Sequence, residues 1–171
     1  YSNLTMKNKA YCLVLTAYLF SSTVFAETAR LDDSASARSV VEARSVTSET
    51  GMPLADSTSP EYVRSNFGWV QYRLATAAYK GKMAKIYYVI PLVIEGLQQS
   101  SALTVTWKTK GQFAEGEGHA GDRKLVWSGT VTEDWMETEF DLQMQAELAQ
   151  LRLPEGKGFG FESYFEIETD E

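Results

Sequence analysis

The chain of 171 residues contains one cysteine and one histidine, Cys12 and His119. A single cysteine can form neither a disulfide framework nor a cysteine-rich zinc site. A serine-based catalytic triad would have to use His119, and no G-x-S-x-G nucleophile motif accompanies that histidine. These absences argue against the common cysteine-, zinc- and serine-dependent enzymes. We predict a protein that is not an enzyme and that uses no cofactor.

Basic residues are also few. Lysine and arginine number 16 against 23 aspartates and glutamates, which gives a formal net charge of −7. Binding to nucleic-acid phosphates needs a basic surface, and adhesion to anionic lipid headgroups needs clustered lysine or arginine. We therefore predict no nucleic-acid partner and no attachment to an anionic membrane surface.

The N-terminal residues follow the order of a secretory signal peptide. Met6 is the predicted start, and the two lysines after it precede an apolar run over 10–20 and then small residues up to Ala26. That run is shorter than the ~20 residues of a membrane-spanning helix. We predict a signal peptide over 1–26 and a mature chain that begins at Glu27 without cysteine. The expected location is periplasmic or secreted, with no membrane span after cleavage.

The next segment has a different composition. Residues 27–65 are rich in serine, threonine, alanine and charge, and they have few large apolar side chains. Such a segment buries too little apolar surface to offset its ordering entropy. We predict a flexible connection with a possible edge strand at 39–46, for which a short helix over 36–44 is the alternative. The β domain is predicted over 66–171.

From residue 66 onward, apolar and polar residues alternate in segments separated by turn signals. The predicted strands are 67–79, 83–95, 102–110, 123–132, 135–144 and 159–168. The turn at 80–82 is expected to join the first two strands as a hairpin, and Pro91 marks an edge or a break. The fold class predicted is all-β, an antiparallel β-sandwich of six to seven strands, immunoglobulin-like in outline. A small barrel is the alternative, and a short helical turn is expected near 146–151.

The alternation also assigns a buried face to each strand. Strand 135–144 is predicted to bury Met136, Thr138, Phe140 and Leu142. Strand 123–132 is predicted to bury Leu125, Trp127 and Val131.

A second group of aromatic residues falls on the opposite, outward faces. The group consists of Phe67, Trp69, Tyr87, Trp135 and Tyr164. Aromatic rings exposed together could form a platform for sugar rings or for a peptide. The alternatives are a second core between sheets or separate surface aromatics.

Two polar groups invite chemical interpretations. The first is the loop containing Glu115, Glu117, His119 and Asp122, whose oxygens and imidazole are weak candidates for a metal site. Its spacing fits no calcium loop, so a solvated loop and no metal are predicted. The second is the acidic stripe of Glu133, Asp134, Glu137, Glu139 and Asp141, which suggests a glycosidase with paired carboxylates. A solvated strand face is the simpler interpretation.

Together these features predict an exported, non-catalytic β-sandwich protein that serves as a binding or structural accessory module of the bacterial cell envelope. Its expected partner is a protein or a glycan of that envelope. A carbohydrate-binding module that uses the outward aromatics is the first alternative. A hydrolase that uses paired carboxylates is the second.

Overall fold

The computed structural model describes residues 26–36, 45–152 and 159–170. Within these ranges the chain forms nine strands: β1 (Glu27–Arg30), β2 (Ser45–Ser48), β3 (Tyr62–Ala75), β4 (Met83–Val89), β5 (Leu103–Lys110), β6 (Gly116–His119), β7 (Arg123–Thr130), β8 (Trp135–Glu147) and β9 (Tyr164–Thr169). They form a four-stranded sheet in the order β1-β9-β4-β7 and a five-stranded sheet in the order β2-β3-β8-β5-β6. Every strand pairing is antiparallel. The predicted all-β antiparallel sandwich is confirmed.

An aromatic cluster joins the inner faces of the two sheets. Trp107 and Phe140 come from the five-stranded sheet, and Tyr88 and Phe165 come from the four-stranded sheet. The ring centroid of Tyr88 lies 4.9 Å from that of Trp107 and 5.2 Å from that of Phe140. These separations are typical of favourable aromatic pairs. The centre of the space between the inner faces is therefore filled by aromatic packing.

The predicted faces of β8 are correct, but those of β7 are partly wrong. Met136, Thr138, Phe140 and Leu142 are all buried, as the alternation indicates. Leu125 is 50% exposed, whereas Val126, predicted to face outward, is 2% exposed. The register between β4 and β7 shifts between Ile86 and Tyr87. Such a bulge adds one residue to a strand and reverses the faces on one side of it.

The predicted hairpin between β3 and β4 is wrong, because the two strands belong to different sheets. The connection between them bonds instead to the connection between β7 and β8. The backbone N–H of Gly81 donates to the carbonyl of Val131 at 2.8 Å, and that of Thr76 donates to the carbonyl of Asp134 at 2.9 Å. Both connections cross between the sheets, so they close one end of the sandwich.

The strand count exceeds the predicted six to seven because short strands were missed. β6 lies inside the predicted loop, and β1 lies in the segment predicted to be flexible. That segment, 27–65, also contributes β2 and the beginning of β3. Of the predicted edge strand 39–46, only residues 45 and 46 lie in the described part of the chain, where they open β2. A 3-10 turn, Leu148–Gln150, occupies the place of the predicted helical turn.

The predicted signal peptide, 1–26, lies outside the described residues except for Ala26. Across residues 26–36, 45–152 and 159–170 there is no helix of sufficient length and apolar character to span a membrane.

Candidate functional site

The outer face of the five-stranded sheet carries a polar groove across four neighbouring strands. Its lining side chains are Thr47 from β2, Arg64 and Asn66 from β3, Gln143 and Gln145 from β8, and Thr106 from β5. The cavity has a volume of about 370 Å³. Ser65 and Met144 complete the lining, and both are largely buried.

The strand register explains why these side chains meet. Gln143 is paired with Asn66 on one side and with Thr106 on the other. One step along, Gln145 is paired with Arg64, and Arg64 is paired with Thr47. Residues directly opposite on antiparallel strands have Cβ atoms ≈5 Å apart, close enough to contact a common ligand. The groove is therefore built from two adjacent rows of cross-strand neighbours.

Among the described residues that line the groove, Arg64 is the one with a charged side chain. Its Nε–H donates to Oε1 of Gln145 at 2.8 Å. Its charge also reaches Glu49, whose pKa is lowered chiefly by a hydrogen bond from its own backbone N–H, against the opposing effect of burial. Backbone N–H groups of Tyr62 and Glu61 and the charge of Arg64 lower that pKa further.

The other half of the same outer face is occupied by internal charge pairs. Lys110 Nζ lies 3.1 Å from Oε2 of Glu139 and 4.0 Å from the ring centroid of Trp69. Arg73 stacks 4.7 Å from the ring centroid of Trp135, and its Nε lies 3.5 Å from a carboxylate oxygen of Glu137. Two members of the acidic stripe are therefore paired with cations on a solvated face.

The outer face of the four-stranded sheet is similarly occupied. Arg123 lies 3.4 Å from the ring centroid of Tyr87, and its Nε donates to Glu166 at 2.6 Å. Burial opposes the charge of Arg123, but hydrogen bonds to Glu166, Tyr87 and Glu168 outweigh it, so the pKa of Arg123 is raised. The charge of Arg123 is thus paired with carboxylates of the same face.

The five aromatic residues considered for a binding platform are not brought together. Trp69 and Trp135 stand on the outer face of the five-stranded sheet, 41% and 40% exposed. Tyr87 and Tyr164 belong to β4 and β9 of the other sheet. Phe67 is partly buried and packs against the core. A single platform of all five is therefore not formed.

The histidine loop forms internal hydrogen bonds. Nδ1–H of His119 donates to the carbonyl of Leu103 at 2.8 Å, and the backbone N–H of His119 donates to the carboxylate of Asp122 at 2.8 Å. Glu115 and Glu117 are exposed. In the described part of the chain, no group of three or more histidine, cysteine, aspartate or glutamate residues is placed to hold a metal ion.

No protein-family model, curated protein or solved structure matches this chain. Function is therefore inferred from the chemistry of the groove itself.

The groove residues escaped prediction for a simple reason. Gln143 occupies an ordinary outward position of the predicted strand 135–144, whereas Gln145, Arg64 and Asn66 lie outside the predicted strands. Their proximity depends on the pairing of β3 with β8, which are neighbours in the sheet although four strands, β4 to β7, separate them along the chain. The one available signal was the change along β8 from charged outward residues to amides.

Proposed function

We propose that this chain is a non-catalytic binding module that holds a glycan in the polar groove of the five-stranded sheet. The observation that carries the proposal is the lining of the groove by hydroxyl and amide side chains from four adjacent strands. Its volume of about 370 Å³ falls within the usual range of ligand sites.

The lining chemistry favours a ligand rich in hydroxyl groups. Asn and Gln amides each offer donors and an acceptor, and a Thr hydroxyl offers both. A bound apolar ligand would leave such groups without water or partners, at a cost of roughly 1–3 kcal/mol each. A glycan presents alternating donors and acceptors that replace the lost water. An apolar peptide or lipid has no such groups to replace the lost water.

Trp69 extends the groove on one side. It occupies the next outward position of β3 after Asn66, beyond the register shift between Asn66 and Gly68. One face of its ring is covered by Lys110, whose flexible ammonium can be displaced. The exposed ring offers an apolar surface against which a sugar ring can pack. This retains part of the aromatic platform suggested by the sequence, with one residue in place of five.

A hydrolase receives less support. A glycosidase needs a carboxylic acid whose pKa is raised by an apolar, concave setting. Glu137 and Glu139 lie outside the groove and contact Arg73 and Lys110, with side chains 59% and 39% exposed. We therefore place the function in binding and not in bond cleavage.

We further propose that the protein acts in the bacterial cell envelope, after export by the N-terminal segment. Glu27, the predicted first mature residue, is also the first residue of β1. Cleavage before it would leave β1 and its pairing with β9 intact. Mass spectrometry of the protein recovered from an exporting bacterium should then give a chain that begins at Glu27.

Binding is tested by screening the purified protein against a panel of neutral and acidic polysaccharides, using thermal shift and affinity electrophoresis. A ligand specific for the folded state raises the melting temperature by mass action. We expect at least one polysaccharide to bind. Gln143→Ala should lower the affinity for that polysaccharide roughly tenfold, because one hydrogen bond between protein and ligand is lost.

Gln71→Ala is the matched control. Gln71 is an exposed amide on β3 of the same face, but it is paired with Glu139 and does not line the groove. Binding that is weakened equally by both variants, or no binding to any polysaccharide, contradicts the proposal.

A further inference from the structure

We infer that the glycan in the groove carries an acidic sugar, and that Arg64 binds the carboxylate of this sugar. This inference rests on the proposed glycan binding and adds the charge class of the ligand and the residue that recognises it.

The charge of the groove is opposite to that of the chain. The protein carries a formal net charge of −7. Its lining, as far as residues 26–36, 45–152 and 159–170 form it, contains one arginine and no aspartate or glutamate. The groove thus presents one cation among neutral polar side chains, and such a cation attracts an anionic ligand.

Arg64 differs from the other arginines on the outer faces. Arg30, Arg73 and Arg123 each lie within 4 Å of a carboxylate, with N–O distances of 3.6, 3.5 and 2.6 Å. Within the described ranges Arg64 forms no such ion pair, and its hydrogen bond is to the neutral amide of Gln145. Its charge is therefore not neutralised by direct contact with a carboxylate.

The geometry of that hydrogen bond leaves the terminal amino groups of the guanidinium for a ligand. Gln145 accepts from Nε, which fixes the plane of the group. The two terminal nitrogens then remain for a bidentate contact with a carboxylate. Pre-positioning by Gln145 reduces the rotamer entropy lost when the ligand binds.

Arg64 sets the orientation of the acidic sugar. Carboxylates flank the groove at both of its ends along β8, with Asp141 after Gln143 and Glu147 after Gln145. The guanidinium of Arg64, which is paired with Gln145, attracts the carboxylate of the ligand to its own end. Neutral sugars then extend toward Trp69.

The test compares polymers of galacturonate, glucuronate and mannuronate with their carboxyl-reduced, neutral counterparts, measured by calorimetry on the wild-type protein, Arg64→Gln and Arg73→Gln. Arg73 lies on the same strand and face as Arg64 but is engaged by Glu137 and Trp135. It controls for loss of one positive charge from the face.

We expect at least one acidic polymer to bind roughly tenfold or more tightly than its neutral counterpart. Arg64→Gln should abolish this preference, Arg64→Lys should retain a part of it, and Arg73→Gln should leave it nearly unchanged. Added salt should reduce the preference, as screening requires.

The failures can be told apart. Equal binding of acidic and neutral polymers overturns this inference and leaves the proposed glycan binding in place. An acidic preference that survives in Arg64→Gln overturns the role of Arg64. Binding of no polymer by the folded wild-type protein overturns the proposed function and this inference together.

Discussion

Arg64 and Gln145 are joined across β3 and β8 by a hydrogen bond of 2.8 Å from Nε to Oε1. The pair lies in the groove on the outer face of the five-stranded sheet, and it links a cation to a neutral acceptor. Gln145 is thus a positioning residue for the guanidinium. A substitution of Gln145 should therefore change ligand binding without a matching change in the stability of the fold.

Gln145→Glu should weaken the binding of acidic glycans, because a carboxylate in the groove would occupy Arg64 and repel the ligand. We expect roughly a tenfold loss of affinity for acidic polymers and little change for neutral ones. The free energy of unfolding should stay within about 0.5 kcal/mol of wild type, because Gln145 is only partly buried and a carboxylate there still accepts from Arg64. Calorimetric binding and thermal unfolding check both statements. An unchanged affinity for acidic polymers would remove Gln145 from the site.

Phe140 should be the most sensitive position of β8. It is fully buried and contacts the rings of Tyr88, Trp107 and Phe165 at centroid distances of 5.2, 6.2 and 5.6 Å. Phe140→Ala should cost about 3–5 kcal/mol of unfolding free energy, because it leaves a cavity between the sheets. Urea denaturation measures this cost. Trp135→Ala on the outer face of the same strand should cost about 1 kcal/mol or less, and equal costs would contradict the assigned faces.

Gly116 in β6 lies against the ring of Trp107. A Cβ at this position would lie 3.0 Å from Cζ2 of that ring. Trp107 cannot move easily, since it is fully buried and its Nε1–H donates to the carbonyl of Ala114 at 3.1 Å. Gly116→Ala should therefore destabilise the protein by about 1–3 kcal/mol through overpacking.

Gly160 provides the matched control for that substitution. A Cβ there would meet nothing within 4 Å. Gly160→Ala should change the unfolding free energy by less than about 0.5 kcal/mol, or stabilise slightly by restricting the unfolded chain. If chemical denaturation gives both alanine variants the same stability, the close packing of β6 on Trp107 is not correct.

Asp32 should contribute a pH-dependent part of the stability. Hydrogen bonds from the hydroxyl and the backbone N–H of Ser34 lower the pKa of Asp32 below its ordinary value of 3.8, with burial opposing them. A lowered folded-state pKa stabilises the protein above the unfolded-state value, and this stabilisation is lost as pH falls through the lowered value. Asp32→Asn should thus be less stable than wild type near neutral pH, and the difference should shrink in acid.

Thermal unfolding from neutral pH down to about pH 3 measures that convergence. Asp33→Asn serves as the control for removing one negative charge from the same turn. A difference between wild type and Asp32→Asn that is independent of pH would contradict the effect of Ser34.

The strand faces were predictable from sequence because alternation depends on each strand alone. The buried side chains of β8 follow directly from it. The pairing of β3 with β8 was not predictable, because alternation shows which face of a strand is apolar but does not identify the strand that pairs with it. The turn at 80–82 favoured a hairpin. Its residues Gly81 and Lys82 instead form backbone hydrogen bonds with Val131, which lies on the connection between β7 and β8.

The same limitation applies to the site. Thr47 and Gln145 line one groove although they are 98 positions apart along the chain. Aromatic residues at outward strand positions indicate a possible ligand contact from the sequence alone, whereas scattered threonines and amides are ordinary surface residues. The bulge in β7 placed Leu125 outward and Val126 inward, and no local signal marked it.

The most direct measurement of glycan binding in the groove is a titration of isotope-labelled protein with galacturonate, glucuronate and mannuronate oligosaccharides, followed through the backbone amide NMR signals. We predict that the largest shifts fall on Asn66, Thr106, Gln143 and Gln145, with those of Tyr87 and Leu125 on the opposite sheet unchanged. Shifts concentrated on the Tyr87 and Leu125 face, or no shifts with any of these oligosaccharides or their neutral counterparts, would contradict it.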